Sequence, residues 1–202
     1  TANRIVIQNI NSNQGKVEIH LNNLKINASN GPALHIMNSV NVEVLIYLQG
    51  NNELITTNKS SAGLQKNNSS LLTISNEPGK DTGCLDASNK AMDRPDPSLP
   101  NLADGYGAGI GSGMNESTVS NICISGVSVT ASSTNGAGIG SGKASGSQNG
   151  SNTSGNCSNI SISNSTVTAT STESAGIGSG GALGGAGCTN TNGNCSNISI
   201  SN

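Results

Sequence analysis

Apolar residues along this chain fall in short runs at alternate positions. Ile122 and Ile124 flank Cys123 in Asn121-Ile-Cys-Ile-Ser125, and the run returns as Asn159-Ile-Ser-Ile-Ser163 and Asn197-Ile-Ser-Ile-Ser201, at intervals of 38 residues (159 − 121 and 197 − 159). Val127-Ser-Val-Thr-Ala131 and Ser165-Thr-Val-Thr-Ala169 keep the same interval, and Gly107–Gly113, Gly136–Gly142 and Ser174–Gly180 share the run Ala-Gly-Ile-Gly-Ser-Gly. β-Branched residues at every second position, with Ser or Thr between them, make a strand with one buried and one solvated face. Repetition at a fixed period stacks such strands, one turn of chain on the next, into a β-solenoid. The pattern predicts three strands per rung: Ala-Gly-Ile, Ile-x-Ile and Val-x-Ala.

The N-terminal half follows the same order less strictly. Ala33-Leu34 and Ala62-Gly63-Leu64 stand as first strands, Val42/Val44 and Leu72/Ile74 as second, and Leu54 and Leu85 as third. Val17/Ile19/Leu21 and Leu24/Ile26/Ala28 make an opening rung behind the strand Arg4–Gln8. Residues 1–202 therefore read as a single all-β domain, a parallel β-helix of about five to six rungs with long polar loops. Gly109, Gly138 and Gly176 mark corners where backbones come close or φ turns positive. Lys143–Ser158 and Gly181–Ser196 read as long polar loops. A charged insert at 76–106 carries Pro78, Pro95, Pro97 and Pro100 and reads as a surface excursion.

Composition narrows the partners. Only 32% of residues are hydrophobic and 1% aromatic, which suits a thin column of Ile, Val, Leu and Ala. Charged residues are 10% and the net charge is −2, so the chain is not a self-repelling disordered tail and has no basic face for nucleic acid. No apolar run reaches the length of a membrane span. The start at Thr1, without initiator Met or signal peptide, reads as a mature or excised fragment.

Candidate chemistry is sparse. The glycine runs do not make a phosphate loop, because Ser112 stands where a third glycine is needed and Ala144 where Ser or Thr is needed after Lys143. Asp86, Asp93, Asp96 and Asp104 are the one gathering of carboxylates that calcium would favour, though their spacing fits no loop motif. His20 and His35 read as outward-facing strand residues. Cys157 and Cys195 share one phase of the repeat, so stacking brings their Cα atoms to about 5 Å, within disulfide reach. Cys188 competes for either, and Cys84 and Cys123 complete an odd set of five. N-x-Ser/Thr sequons at Asn27, Asn58, Asn67, Asn68, Asn115, Asn149, Asn152, Asn156, Asn164 and Asn194 read as glycan acceptors, while those at Asn159 and Asn197 fall inside strands. Rows of Ser and Thr (Ser128/Thr130 over Thr166/Thr168, Ser161/Ser163 over Ser199/Ser201) resemble the hydroxyl ladders of ice-binding solenoids.

The runs Gly31-Pro-Ala-Leu34, Ala62-Gly-Leu64 and Ala108-Gly-Ile-Gly111, together with the NISIS and VTAT segments, are similar to those of secreted right-handed parallel β-helix proteins, the pectate-lyase-like superfamily, in its carbohydrate-binding and surface-repeat type. The resemblance implies a right-handed coil and secretion. Family lyases surround calcium with Asp and Arg or Lys, and beyond Gly105 this chain has only Glu116, Lys143 and Glu173 as charges. The expected function is thus a non-enzymatic extracellular structural protein, a glycosylated surface or filament subunit without a cofactor. The alternatives are a polysaccharide-binding module and, third, a polysaccharide lyase or ice-binding solenoid. Because the array stops after a second strand, either the natural chain continues or another copy stacks there, with its Arg4–Gln8 in the vacant third-strand place.

Overall fold

The computed structural model describes residues 3–11, 15–91, 105–116, 118–146, 151–184 and 187–202. Among these there is no helix, and all strand pairing is parallel. Numbering strands in chain order, the first sheet stacks β1 (Ile5–Ile7), β4 (Leu34–Ile36), β7 (Leu64–Lys66), β10 (Ile110–Gly111), β13 (Ile139–Gly140) and β18 (Ile177–Gly178). The second stacks β2 (Val17–Asn22), β5 (Val44–Gln49), β8 (Leu72–Asn76), β11 (Val119–Ser125), β16 (Cys157–Ser163) and β21 (Cys195–Ser201). The third holds β3 (Lys25–Ala28), β6 (Asn51–Thr56), β9 (Cys84–Asn89), β12 (Ser128–Ser133) and β17 (Thr166–Ser171). Each rung contributes one strand to each sheet, and the sixth contributes only to the first two. This is a parallel β-helix.

Register makes the core. Val17, Val44, Leu72, Ile122, Ile160 and Ile198 form one vertical column, and Ile19, Ile46, Ile74, Ile124, Ile162 and Ile200 a second. Like side chains on like positions pack without aromatic filler, and at about 25 cal/mol per Å² each enclosed aliphatic group contributes a few kcal/mol. A third inward column, at the end of the third strands, is polar: Thr56, Asn89, Ser133 and Ser171. Each donates to a carbonyl of the turn that leads into its own rung, as in Thr56 Oγ1 to Gly31 O at 2.7 Å and Ser133 Oγ to Gly107 O at 2.7 Å. Those carbonyls would otherwise be buried without donors.

Two features differ from expectation, and the corner glycines resolve into the first of their two expected roles. The presumed polar loops contain β14 (Ala144–Gly146), β15 (Ser151–Thr153), β19 (Ala182–Gly184) and β20 (Thr189–Thr191), which pair β14 with β19 and β15 with β20 as two small outboard ladders. The charged segment 76–106 is not one excursion, since β9 lies within it; residues 92–104 lie outside the described set. Positive φ falls at Gly111, Gly140 and Gly178, two residues past the glycines expected. Gly109, Gly138 and Gly176 are the expected places of close approach, where a Cβ on Gly138 would lie 2.6 Å from Gly176 O.

Candidate functional site

A groove of about 550 Å³ runs across the first three rungs, on the outer face of the first sheet. Alternation turns Val6, His35 and Gln65 outward in one row, and the register continues that row as Gly111 and Gly140 and then Gly178. Side chains therefore shape this face only at rungs one to three. Arg4 crosses the groove beside Gly31, where any Cβ would collide with the guanidinium, and Arg4 Nη1 donates to Asn30 O at 3.5 Å. His35 Nε2 is buried and has no hydrogen-bond partner. Burial, and secondly the Arg4 charge, hold the His35 imidazole below its ordinary pKa.

One wall of the groove is braced by a half-buried carboxylate. Glu116 accepts from Gln65 Nε2 at 2.9 Å, from Asn67 Nδ2 at 2.7 Å and from the backbone N–H of Gly113 at 2.5 Å. Burial pushes its pKa up, partly offset by those donors. On the inner side of β7, Lys66 is fully buried above Ile36 and donates to Asn68 O at 2.6 Å and Ser120 O at 2.8 Å. With no carboxylate among these partners, burial pulls its pKa down to about 8. Sequence reasoning missed this cation, because the equivalent positions of the two rungs below, Ile36 and Ile7, are aliphatic.

The remaining candidates are dispersed. Asp86 faces out from β9, bonded to Ser88 and to Lys90, while Asp93, Asp96 and Asp104 lie outside the described residues. Among the described residues no three metal-ligating side chains gather. His20 faces out on the second sheet, 2.5 Å from Glu77 Oε2 and with its ring 5.1 Å from that of Tyr47. Cys157 and Cys195 are paired in a disulfide with Cα atoms 4.5 Å apart, and Cys188 is outside it. Ser128 and Thr130 lie in register with Thr166 and Thr168, and Ser161 and Ser163 with Ser199 and Ser201.

Sequons separate by what their amides do. Asn152 is buried and its Nδ2 donates to Asn190; Asn68 Nδ2 donates to Val40 O at 2.7 Å, and Asn67 Nδ2 holds Glu116. Asn115 is exposed, but its amide bonds Ser145 on both sides. Asn58 Oδ1 accepts from Ser60 N and Ser61 Oγ within a turn. Asn27, Asn156, Asn164 and Asn194 are exposed, and Asn149 lies outside the described residues. Asn121, Asn159 and Asn197 all take positive φ and stack their side-chain amides at 2.8 and 3.0 Å, a ladder that engages the nitrogens of the two strand sequons.

The sixth rung exposes its edge. β21 pairs with β16 on one side only among the described residues, leaving Ile198 40% and Ile200 67% exposed. The strand Arg4–Gln8 expected to fill a neighbouring copy's third sheet is already committed, since Ile5–Ile7 pairs with Leu34–Ile36 in the first sheet.

The architecture defines a class, parallel β-helix repeat proteins with a thin aliphatic spine. Comparison with family models, with curated proteins and with solved structures found no match for the chain, so the assignment rests on its own geometry. A disulfide is compatible with an oxidising, extracellular setting. No helix among the described residues is long and apolar enough to cross a membrane.

Proposed function

We propose that the chain is a non-enzymatic structural unit of a secreted or cell-surface protein, a rod that carries sugar on its exposed turns and associates end to end with further copies. The observation that carries this reading is the register: two core columns run unbroken through every rung, from Val17 and Ile19 to Ile198 and Ile200, so a further rung, of this chain or of another copy, extends the same spine. An unpaired strand edge with apolar side chains is a template for another strand. Rung one of a second copy supplies the matching surface: Val17 and Ile19 of β2, which begin the same two columns and are only half-buried. Contact between unlike ends repeats indefinitely and makes a filament.

Light scattering and electron microscopy of the full chain test this. Linear oligomers that lengthen with concentration are expected, and the double substitution Ile198→Lys, Ile200→Lys is expected to leave monomers with unchanged circular dichroism. Wild-type protein that stays monomeric at every concentration overturns end-to-end association.

Polysaccharide binding is a second reading, favoured by the half-exposed Tyr47 ring beside His20 on the flat second sheet. Aromatic faces suit the apolar faces of sugar rings. Retention on insoluble polysaccharide that Tyr47→Ala abolishes would support it, and equal retention of both proteins would remove that platform.

A further inference from the structure

We propose that the groove on the outer face of the first sheet binds a small molecule bearing an oxyanion: a carboxylate, sulfate or phosphate monoester on a polar body. Four observations converge. Its volume, about 550 Å³, lies within the range of ~300–1,000 Å³ usual for small-molecule pockets. Its lining contains one permanent cation, Arg4, and no carboxylate. The neighbouring Glu116 is not part of that lining, and its oxygens are occupied by three N–H donors. His35 lines the groove and keeps a buried ring nitrogen, Nε2, without a protein partner; among the described residues only Asn67 Oδ1 and Asn68 Oδ1 share that state. Such unpaired groups are rare and ask for a ligand or an ordered water.

Geometry favours an anion over a neutral solute. Among the described residues the guanidinium makes a single long hydrogen bond, to Asn30 O, and its planar fork of five donors fits an oxyanion. A turn of the His35 ring would bring its Nε2–H tautomer to the groove as a further donor. Val6, Pro32 and Met37 give the groove apolar surface on which the body of the ligand can rest. The site is confined to rungs one to three because the outward row becomes glycine from Gly111 onward.

Isothermal titration of the full chain with sodium sulfate, glucuronate and glucose, followed by NMR of the His35 imidazole, tests the proposal. Expected are saturable binding of sulfate and glucuronate in the millimolar range, a shift of the His35 signals, and no binding of glucose. Arg4→Gln is expected to weaken both anions at least tenfold, and His35→Phe to weaken them several-fold. Lys25→Gln, on the third sheet, should bind as wild type, which controls for net charge. Tighter binding of glucuronate than sulfate identifies a carboxylate on a sugar-sized body as the better ligand; the reverse identifies the free inorganic anion. Glucose binding as well as glucuronate, anion binding unaffected by Arg4→Gln, or no binding at all overturns the proposal. Arg4 is exposed, so loss of fold is not expected; should circular dichroism change in either variant, the His35 shifts in wild type still decide.

Discussion

Truncating one core column rung by rung should give a graded series of stabilities. Ile124, Ile162 and Ile200 are successive members of the same column, at 0%, 3% and 67% exposure. Ile→Ala removes three carbons, about 2.5 kcal/mol of transfer free energy when the side chain is enclosed. A cavity term raises the total, because rungs above and below hold the neighbouring side chains apart. Ile124→Ala, between Ile74 and Ile162, is expected to cost about 3.5 kcal/mol, and Ile162→Ala about 3. Ile200 has two-thirds of its surface in water and no rung above it among the described residues, so Ile200→Ala should cost under about 1 kcal/mol. Urea denaturation at low protein concentration measures these values, with hydrogen exchange resolving each rung, since solenoids need not unfold as one unit. A series in which all three substitutions cost the same would refute the stacked column. If copies associate end to end, the cost of Ile200→Ala rises with concentration while that of Ile124→Ala does not.

Four further outcomes are expected. Lys66 has a folded pKa of about 8 against an ordinary 10.5, so the unfolded chain binds more protons between those values and stability should rise with pH from about 8 to 10.5; Lys66→Met should flatten that rise in urea titrations across the interval. Gly138→Ala places a Cβ 2.6 Å from Gly176 O and 2.7 Å from Thr170 N, both backbone, and is expected to cost about 3 kcal/mol or more; Gly126→Ala, with open space but φ of 71°, should cost only about 1–2. Replacing Cys157 and Cys195 by Ser removes a cross-link over 38 residues, worth up to about 4 kcal/mol on the loop-entropy model, and should speed amide exchange in β16 and β21 while sparing β5 and β8. Secretion from a eukaryotic host should place glycan on Asn156 or Asn164 and none on Asn68 or Asn152, by glycopeptide mass spectrometry.

Three strands per rung, the column through Ile122, Ile160 and Ile198, and the Cys157–Cys195 contact were all legible, because a period of 38 residues converts sequence distance directly into vertical neighbours. The outboard ladders were not. Ser151-Asn-Thr153 and Thr189-Asn-Thr191 have no apolar alternation, and what aligns them is the stacking of like residues, with Asn152 bonded to Asn190. The groove was equally hidden: Arg4, His35 and Gln65 are some thirty residues apart in turn, and the register that sets Val6, His35 and Gln65 side by side falls in the N-terminal half, where the period is irregular. The inward polar column escaped notice because Thr56, Asn89 and Ser133 read as ordinary strand ends until the turn carbonyls they serve are seen.

The disulfide also decides how the rod would respond to tension. A chain drawn from its C-terminal end can shed only the residues after Cys195 before the load passes through the covalent bond to β16, one rung deeper. Residues 158–194 then lie inside a closed loop that the load bypasses until the cystine is reduced, whereas force from the N-terminal side reaches the strands before Cys157 one after another.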